Sequence, residues 1–347
     1  MNQSLASLGF TPHFSQQLSL EDLELRQAVR VMQVQRSHLL VSDGEQSWSV
    51  PLTSQVFELE SQHRPTVGDW ILLSGERLER VLERKSVFKR VAAGTKAELQ
   101  LIAANVDTLF IVTSCNDDFN ESRLERYLAL AAEAGVDPVV VITKADLAPS
   151  TDDYRDRAGR LQPGLPVVVI NALDVASVEL IQAWINPGST VALAGSSGVG
   201  KSSIVNMLAG QSVTATAAIR EQDSAGRHTT TYRSLHLLDS GGLLLDVPGM
   251  RELKVAGLDD ALDTVFSEIE SLMQRCKFSD CAHGKEPGCA VRAALESGEL
   301  TQRRWQNYQK LLAEESRNNA SLAERRQADR AFGKMVRQHM QHKHRDR

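Results

Sequence analysis

One glycine-rich loop, set between a strand and a helix, constrains the fold of this chain more than any other feature. It follows the pattern G-x-x-x-x-G-K-[ST]. Its residues are Gly195, Ser196, Ser197, Gly198, Val199, Gly200, Lys201, Ser202 and Ser203. The apolar run 190–194 predicts a buried strand before it, and 203–208 predict a helix after it. Backbone N–H groups and a helix N-terminus would then face an anion. The pattern predicts a phosphate site, with Lys201 on the β- and γ-phosphates and Ser202 on Mg²⁺.

A second motif lies upstream of this loop. It follows the apolar run 139–142 and reads Thr143, Lys144, Ala145 and Asp146, which fits the base-reading pattern [NT]-K-x-D. An aspartate there accepts two hydrogen bonds from the N1–H and 2-amino groups of guanine, which adenine does not offer. Asn171 and Ala172 end another apolar run, where a weaker base-contact motif is expected. In ordinary GTPases the base-reading motif lies downstream of the phosphate loop. The reversed order predicts a circularly permuted guanine-nucleotide domain.

Further residues are predicted to complete the catalytic shell. Asp246 ends the apolar run 243–245, where a carboxylate would lie near Mg²⁺, and the N–H group of Gly249 would reach the γ-phosphate. A polar segment contains His228 and the three threonines Thr229, Thr230 and Thr231. One of these threonines, Thr230 by preference, would complete the Mg²⁺ shell.

Turnover by the chain alone is predicted to be slow. Met250 stands where many GTPases place a glutamine that orients water, and a thioether cannot do this. A polar group must come from elsewhere, either from His228 or from a partner. The alternative for His228 is a loop histidine that contacts only solvent.

The ends of the apolar runs predict the architecture of this domain. Runs that end at Thr113, Thr143, Asn171, Gly195 and Asp246, with helical stretches between several of them, describe a mostly parallel, doubly wound α/β sheet. Ligands of such sheets bind at the carboxyl ends of the strands.

Three of the four cysteines form a cluster with one histidine. The cluster consists of Cys276, Cys281, His283 and Cys289, a donor set that suits tetrahedral zinc. It leaves no open ligand position, so we predict one structural Zn²⁺ per chain rather than a catalytic metal. The cluster contains three thiols, and this odd number argues against disulfide pairing within it. Cys115 stands apart and is predicted to be a small buried apolar residue.

The N-terminal part reads as a small β-barrel. Short strand-like runs lie at 29–34, 39–41, 47–50 and 70–73, with a hairpin turn at 42–45. Barrels of the OB type bind nucleic acid on a strand face. Trp48, Phe57 and Trp70 could stack on bases. We favour a core position for at least two of the three.

Together these motifs resemble the circularly permuted, ribosome small-subunit-dependent GTPases of bacteria. The resemblance rests on the loop 195–203, on 226–231 (GRHTTT), on 246–252 (DVPGMRE) and on the cysteine cluster 276–289. It implies an N-terminal OB-fold within 1–97, a permuted GTPase at 98–258, and a helical zinc domain at 259–347. It also implies GTP hydrolysis during late maturation of the 30S subunit, stimulated by the ribosome. Two departures are Thr143 for the commoner asparagine and Asn171 for the usual serine.

The distribution of charge is consistent with an RNA partner despite a net charge of −5. Residues 303–347 hold 12 Lys/Arg and 5 Asp/Glu, and residues 77–96 hold 7 and 2. Two basic stretches on an acidic body suit a phosphate backbone. The expected partners are the 30S subunit and its 16S rRNA, with the chain acting as a monomer. The sequence shows neither a signal peptide nor an apolar run long enough to span a membrane, so a cytoplasmic location is expected.

Two other function classes remain open at this point. One is an RNA-binding switch that binds GTP and hydrolyses little of it. The other is a metal-handling GTPase that loads metal from the cysteine cluster onto a client.

Overall fold

A computed structural model describes residues 3–91, 99–208, 233–246 and 259–316. The chain divides into two compact units, one built from Met1–Phe88 and Leu101–Leu253 and the other from Lys89–Gln100 and Lys254–Arg347. The described strands, in chain order, are β1 (Gln27–Val34), β2 (His38–Ser42), β3 (Ser47–Pro51), β4 (Trp70–Ser74), β5 (Arg77–Val81), β6 (Val87–Val91), β7 (Leu99–Ala104), β8 (Thr108–Ser114), β9 (Asp137–Thr143), β10 (Val167–Val169), β11 (Thr190–Gly195), β12 (Ser234–Leu237) and β13 (Leu243–Asp246).

The described helices are mostly short and are numbered in the same way. They are α1 (Gln3–Ser7), α2 (Pro12–Ser15), α3 (Leu20–Leu25), α4 (Ser54–Glu58), α5 (Glu121–Ala134), α6 (Asp152–Gly159), α7 (Val175–Val178), α8 (201–208), α9 (Asp259–Val265), α10 (Ser267–Gln274), α11 (Ala290–Ser297) and α12 (302–316). Among the described residues, no helix combines the length and apolar character needed to cross a bilayer.

A mostly parallel sheet forms the centre of the first unit. Its order is β10-β9-β8-β11-β13, with all neighbours parallel, and β12 lies antiparallel at the β13 edge. Every residue of β8 is buried, as expected for a parallel strand covered on both faces. The prediction of a mostly parallel sheet is confirmed. Along β8, Val112 lies opposite Gly195 and Ser114 lies opposite Thr143, so the strands before the two predicted nucleotide motifs end at nearly the same level on either side of β8.

The N-terminal strands form an antiparallel group around their own core. β1 pairs with β2 and β4, β2 with β3, and β4 with β5. Side chains from all five strands share one apolar cluster, which fits the predicted barrel. The assignment of this barrel as an OB-fold remains a prediction. Trp70 is fully buried and Trp48 packs partly against the cluster, whereas Phe57 is 49% exposed. Two of the three aromatic residues are therefore core residues, as we favoured.

The N-terminal strands β1 to β5 and the parallel sheet are hydrogen-bonded to each other within the first unit. Gln33 of β1 pairs with Ser234 of β12, which makes one continuous sheet of eleven strands. The segment 3–26, for which the sequence makes no structural prediction, adds a second connection. Phe10 and Phe14 pack their rings near the ring of Trp70, with centroids 4.8 and 5.9 Å away.

One buried arginine ties these parts together. Arg30 of β1 is 1% exposed. Its guanidinium donates to the carbonyl of Leu8, to the carbonyl of Asn105 at 3.0 Å and to Thr190 Oγ1 at 2.8 Å, and Nε lies 3.4 Å from the carbonyl of Gly68. Burial lowers the pKa of Arg30 to about 10, against the opposing effect of nearby aspartates. A single side chain therefore links the N-terminal segment, strand β1, the loop before β8 and the start of β11.

The second unit contains the predicted zinc region. Its described residues 259–316 are mainly helical, whereas 89–91 and 99–100 belong to β6 and β7. Its apolar core is made by residues of α9 to α12, namely Ala261, Leu262, Val265, Phe266, Ile269, Leu272, Val291, Ala294, Trp305, Tyr308 and Leu311. Arg304 of α12 covers the ring of Phe266, with the guanidinium carbon 4.5 Å from the ring centroid, and donates to the carbonyl of Val265 at 2.7 Å. The first half of α12 is therefore a structural helix of this unit.

We predict that Arg30→Ala lowers the free energy of unfolding by about 2–4 kcal/mol, because the substitution leaves buried acceptors without a donor. Urea denaturation followed by circular dichroism measures this change. The matched control is Arg160→Ala, since the Arg160 side chain is 78% exposed and lies 3.9 Å from Asp156. We expect a change within about 0.5 kcal/mol for that control. Equal stability of Arg30→Ala and the unsubstituted protein would contradict the assigned role of Arg30.

Candidate functional site

The phosphate loop connects β11 to α8 in the way the sequence predicts. At Gly195 φ is +146°, and a Cβ there would lie 2.2 Å from the carbonyl oxygen of Val112, so only glycine fits. Lys201 begins α8, and its Nζ donates to the carbonyls of Gly195, at 2.8 Å, and Ser196. The ammonium group is therefore held along the loop itself. Phosphate oxygens of a bound nucleotide would compete with these carbonyls for it.

Thr143 connects the base-reading motif to the phosphate loop. Its Oγ1 lies 2.5 Å from the carbonyl oxygen of Val199 and 3.1 Å from that of Thr113. Thr143 is completely buried. A single hydroxyl proton can serve one acceptor at a time, and the shorter contact is the one to the loop. Thr143, which stands in place of the commoner asparagine, thus holds the phosphate loop against the end of β9.

The three predicted nucleotide motifs meet at one edge of the sheet. A Cβ added to Gly200 would lie 3.4 Å from Thr143 Oγ1 and 3.6 Å from the Cβ of Ala172. The backbone N–H of Ala145 donates to the carbonyl of Ile170 at 3.3 Å, which joins the loops after β9 and β10. The structure thereby brings motifs together that lie in permuted order along the chain.

The polar side chains of the loops after β9 and β10 differ in how available they are to a nucleotide base. Asp146 is exposed. By contrast, Asn171 Oδ1 accepts from the N–H of Leu173 at 3.0 Å, so its amide oxygen stabilises its own turn. Burial, followed by the negative charge of Asp146, raises the pKa of the Cys115 thiol. Cys115 is buried as predicted and lies close enough to sense the base-reading carboxylate.

The remaining predicted catalytic residues are only partly described. Ser202 and Ser203 lie in the first turn of α8. Asp246 ends β13, whose backbone pairs in register with β11, so this position lies at the same edge as the phosphate loop. The predicted residues His228, Thr229, Thr230 and Gly249, together with Met250, lie outside the described residues.

The structure also gathers the four predicted zinc ligands in the second unit. The ligand atoms of Cys276, Cys281, His283 and Cys289 all lie within 4.8 Å of one another. His283 Nδ1 lies 3.5 Å from Cys276 Sγ and 3.7 Å from Cys289 Sγ, so Nδ1 is the ring nitrogen that faces the cluster. Three sulfurs and one imidazole nitrogen at these separations fit a tetrahedral Zn²⁺.

Groups around the cluster hold its ligands in place. Cys289 is the N-cap of α11, and its sulfur accepts from the N–H of Arg292 at 3.4 Å. Burial opposes ionisation of the Cys276 thiol, but backbone N–H groups at the start of α11 and the other two thiols lower its pKa overall. The carboxylate of Glu286 accepts from the N–H groups of Ala282, at 3.3 Å, and Gly284, at 2.7 Å. Such support is typical of the outer shell of a metal site.

Sequence reasoning missed one contact at the phosphate loop. Arg123, in the first turn of α5, donates to the hydroxyl of Ser196 and to the carboxylate of Asp118. Neither the motif patterns nor the periodicity of α5 signals this contact. Its only sequence cue is that α5 follows β8, the strand beside β11.

The sequence profile of the family described as RsgA GTPase matches residues 81–256. The small ribosomal subunit biogenesis GTPase RsgA 2 of Vibrio parahaemolyticus is 48% identical over 341 residues, covering 98% of this chain and 93% of that protein. The small ribosomal subunit biogenesis GTPase RsgA of Mesorhizobium japonicum is 47% identical over 322 residues, covering 91% of each.

Two solved structures share the fold. YjeQ from Thermotoga maritima superposes with a TM-score of 0.60 at 27% identity, covering 84% of this chain and 98% of that one. YloQ, described as a circularly permuted GTPase, superposes with a TM-score of 0.60 at 26% identity, covering 84% and 96%. The permuted order of motifs predicted from the sequence is therefore confirmed.

We predict that Thr143→Val weakens GDP binding about fivefold, since the substitution removes one buried hydrogen bond of about 1 kcal/mol at nearly constant volume. Thr143→Ser keeps the hydroxyl and serves as the matched control, with affinity close to that of the unsubstituted protein. Titration with a fluorescent GDP derivative measures both. If Thr143→Val bound GDP as tightly as Thr143→Ser, the contact with Val199 would not support the loop.

We predict one zinc ion per chain, lost in Cys281→Ala, because a structural zinc site needs its four ligands. Elemental analysis of purified protein measures the metal. Loss of zinc should destabilise the second unit, while GDP binding by the first unit survives. Purified protein without any transition metal would contradict this site, as would full zinc retention by Cys281→Ala.

Proposed function

Because the chain belongs to the RsgA GTPase family, we propose that it hydrolyses GTP in biogenesis of the small ribosomal subunit, using the permuted site at the carboxyl edge of the parallel sheet. The observation that carries this proposal is the convergence of the three nucleotide motifs. Thr143 contacts the phosphate loop at Val199, and Gly200 lies against both Thr143 and Ala172. The similarity of the chain to small-subunit biogenesis GTPases over almost its full length supports the biological setting.

In the proposed mechanism, the phosphate loop and Lys201 bind the phosphates. Backbone N–H groups of the loop and the N-terminus of α8 face the negative charge. Lys201 exchanges its loop carbonyls for β- and γ-phosphate oxygens and stabilises charge as the γ-phosphoryl group leaves. Asp146, exposed after β9, accepts the two guanine donors. Ser202, Thr230 and Asp246 would hold Mg²⁺, which supplies further charge stabilisation at the phosphates when bound.

The identity of the residue after Gly249 is consistent with GTP hydrolysis that depends on a binding partner. Met250 cannot orient the attacking water, so hydrolysis by the free protein is slow. The polar group comes from His228 or from the ribosome itself. We therefore propose that the small subunit stimulates turnover, so that GTP is hydrolysed mainly while the protein is bound to the subunit.

Contacts with rRNA are proposed for both units. On the barrel, an open groove between α4 and β5 is lined by Gln55, His63, Arg77 and Arg80, among others. Two arginines of the basic stretch 77–96 are less available to RNA phosphates than the sequence suggests, because Arg84 pairs with Asp69 and Arg80 pairs with Asp22. In the second unit, residues 317–347 hold 9 Lys/Arg and 3 Asp/Glu. That tail is the stronger candidate for phosphate contacts.

Chain continuity provides a route from nucleotide to RNA. Asp246 ends β13 in the first unit, and the residues after 258 belong to the helices of the second unit. In a permuted GTPase, the segment that senses the γ-phosphate therefore leads directly into the zinc-bearing unit. We propose that GTP biases this connection and so changes affinity for the small subunit. The protein acts as a monomer, in the cytoplasm where bacterial ribosomes are assembled.

We predict that 30S subunits accelerate GTP turnover and bind the GTP-analogue state about 5- to 150-fold more tightly than the GDP state, which is a typical coupling of about 1–3 kcal/mol. Sedimentation with 30S particles in each nucleotide state, combined with phosphate-release assays, measures both effects. Unstimulated turnover would contradict the enzyme's proposed dependence on the ribosome. Identical 30S affinities would contradict the switch.

A truncation distinguishes the contribution of the basic tail 317–347 to 30S binding from the structural role of the helix before it. Removal of 303–347 would unfold the second unit, because Trp305 and Tyr308 are buried in its core. Deletion of 317–347 avoids this, and it should weaken 30S binding in both states and flatten its salt dependence, since fewer counterions are released. Basal hydrolysis should persist. An unchanged salt slope would exclude the tail as a phosphate-contacting element.

A further inference from the structure

The contact between Arg123 and the phosphate loop follows from the sheet. Because Val112 of β8 lies opposite Gly195 of β11, the loops that leave these strands run beside each other. Asn120 caps α5 by accepting from the N–H of Arg123 at 2.9 Å. The cap fixes the backbone of Arg123 next to the loop. Its guanidinium Nη1 then reaches the hydroxyl of Ser196, the second residue of the phosphate loop.

The ion pair beside this contact is incomplete. Arg123 Nη1 lies 2.8 Å from Asp118 Oδ1. The other carboxylate oxygen, Asp118 Oδ2, is buried and has no hydrogen-bond partner. Within the described part of the chain, Nε and Nη2 of Arg123 make no hydrogen bond, and 39% of the side chain is exposed. A guanidinium placed only to pair with Asp118 would use both arms of its fork on the carboxylate. Instead one nitrogen is shared between Asp118 and the phosphate loop.

Ser196 also lies in the part of the phosphate loop whose hydrogen bonds with Lys201 are expected to break when nucleotide binds. Its carbonyl accepts from Lys201 Nζ, as does the carbonyl of Gly195. When phosphates bind, Lys201 turns to them, and this part of the loop loses a hydrogen bond. The bond from Arg123 to the Ser196 side chain does not compete with the phosphates and can persist.

From this arrangement we infer that Arg123 is a positioning residue for GTP binding and hydrolysis. It holds Ser196 so that the phosphate loop stays open around the nucleotide after Lys201 has moved to the phosphates. It acts through Ser196 rather than by touching the nucleotide. This inference rests on the proposed nucleotide site.

The test is a double-mutant cycle on nucleotide affinity. Arg123→Ala and Ser196→Ala should each weaken binding of fluorescent GDP and of a fluorescent GTP analogue roughly tenfold. The double variant should be no weaker than either single variant, because both remove the same bond. Arg123→Lys keeps a charged donor and should restore most of the affinity. Arg160→Ala, which removes an exposed arginine distant in sequence from the loop, should bind like the unsubstituted protein.

Each outcome decides one question. Additive losses, or a Ser196→Ala variant with full affinity, would show that Arg123 supports α5 alone and would overturn the inference. Unchanged affinity of a folded Arg123→Ala variant would do the same. If the unsubstituted protein bound neither nucleotide, the proposed site itself would fail, and that result is distinguishable from every other outcome of the cycle. Circular dichroism spectra of the variants establish that they are folded.

Discussion

The parallel pairing of β8 with β9 on one side and β11 on the other is the constraint from which the site follows. Parallel neighbours place their carboxyl ends at one edge, whatever the order of the strands in sequence. β9 and β11 end within two residues of each other along β8, so Thr143 can reach the carbonyl of Val199. Permutation changes the connections between strands and leaves this edge unchanged. A guanine-nucleotide site therefore needs the sheet, not the usual order of its motifs.

Permutation does change what the site is attached to. After β13 the chain continues to the unit that holds the cysteine cluster, while β12, on the other side of β13, pairs with β1. Arg30 adds a buried link from β1 to Thr190, at the start of the strand that leads into the phosphate loop. The barrel strands, the N-terminal segment and the base of the nucleotide sheet are thus packed as one unit.

The sequence predicted those features that depend on local pattern. Apolar runs located β8, β9, β11 and β13, the glycine-rich loop located the start of α8, and four donors with short spacing located the metal cluster. The sequence did not predict contacts between residues that lie far apart along the chain. Arg30 reads as one cation in an amphipathic strand, and its partners lie 22 to 160 residues away. Arg123 likewise reads as an ordinary surface residue of a helix. Charge counting over 77–96 likewise could not show that Arg80 and Arg84 have carboxylate partners, and the role of this stretch as a phosphate surface stays a prediction.

The proposed guanine-nucleotide site is formed by motifs that follow a permuted order along the chain, and a crystal structure with a non-hydrolysable GTP analogue and Mg²⁺ would test it. We expect the guanine base against the carboxylate of Asp146 and the phosphates within the loop 195–203. We also expect Lys201 Nζ on the β- and γ-phosphate oxygens in place of the carbonyls of Gly195 and Ser196. A nucleotide bound elsewhere would contradict it, as would a base turned away from Asp146.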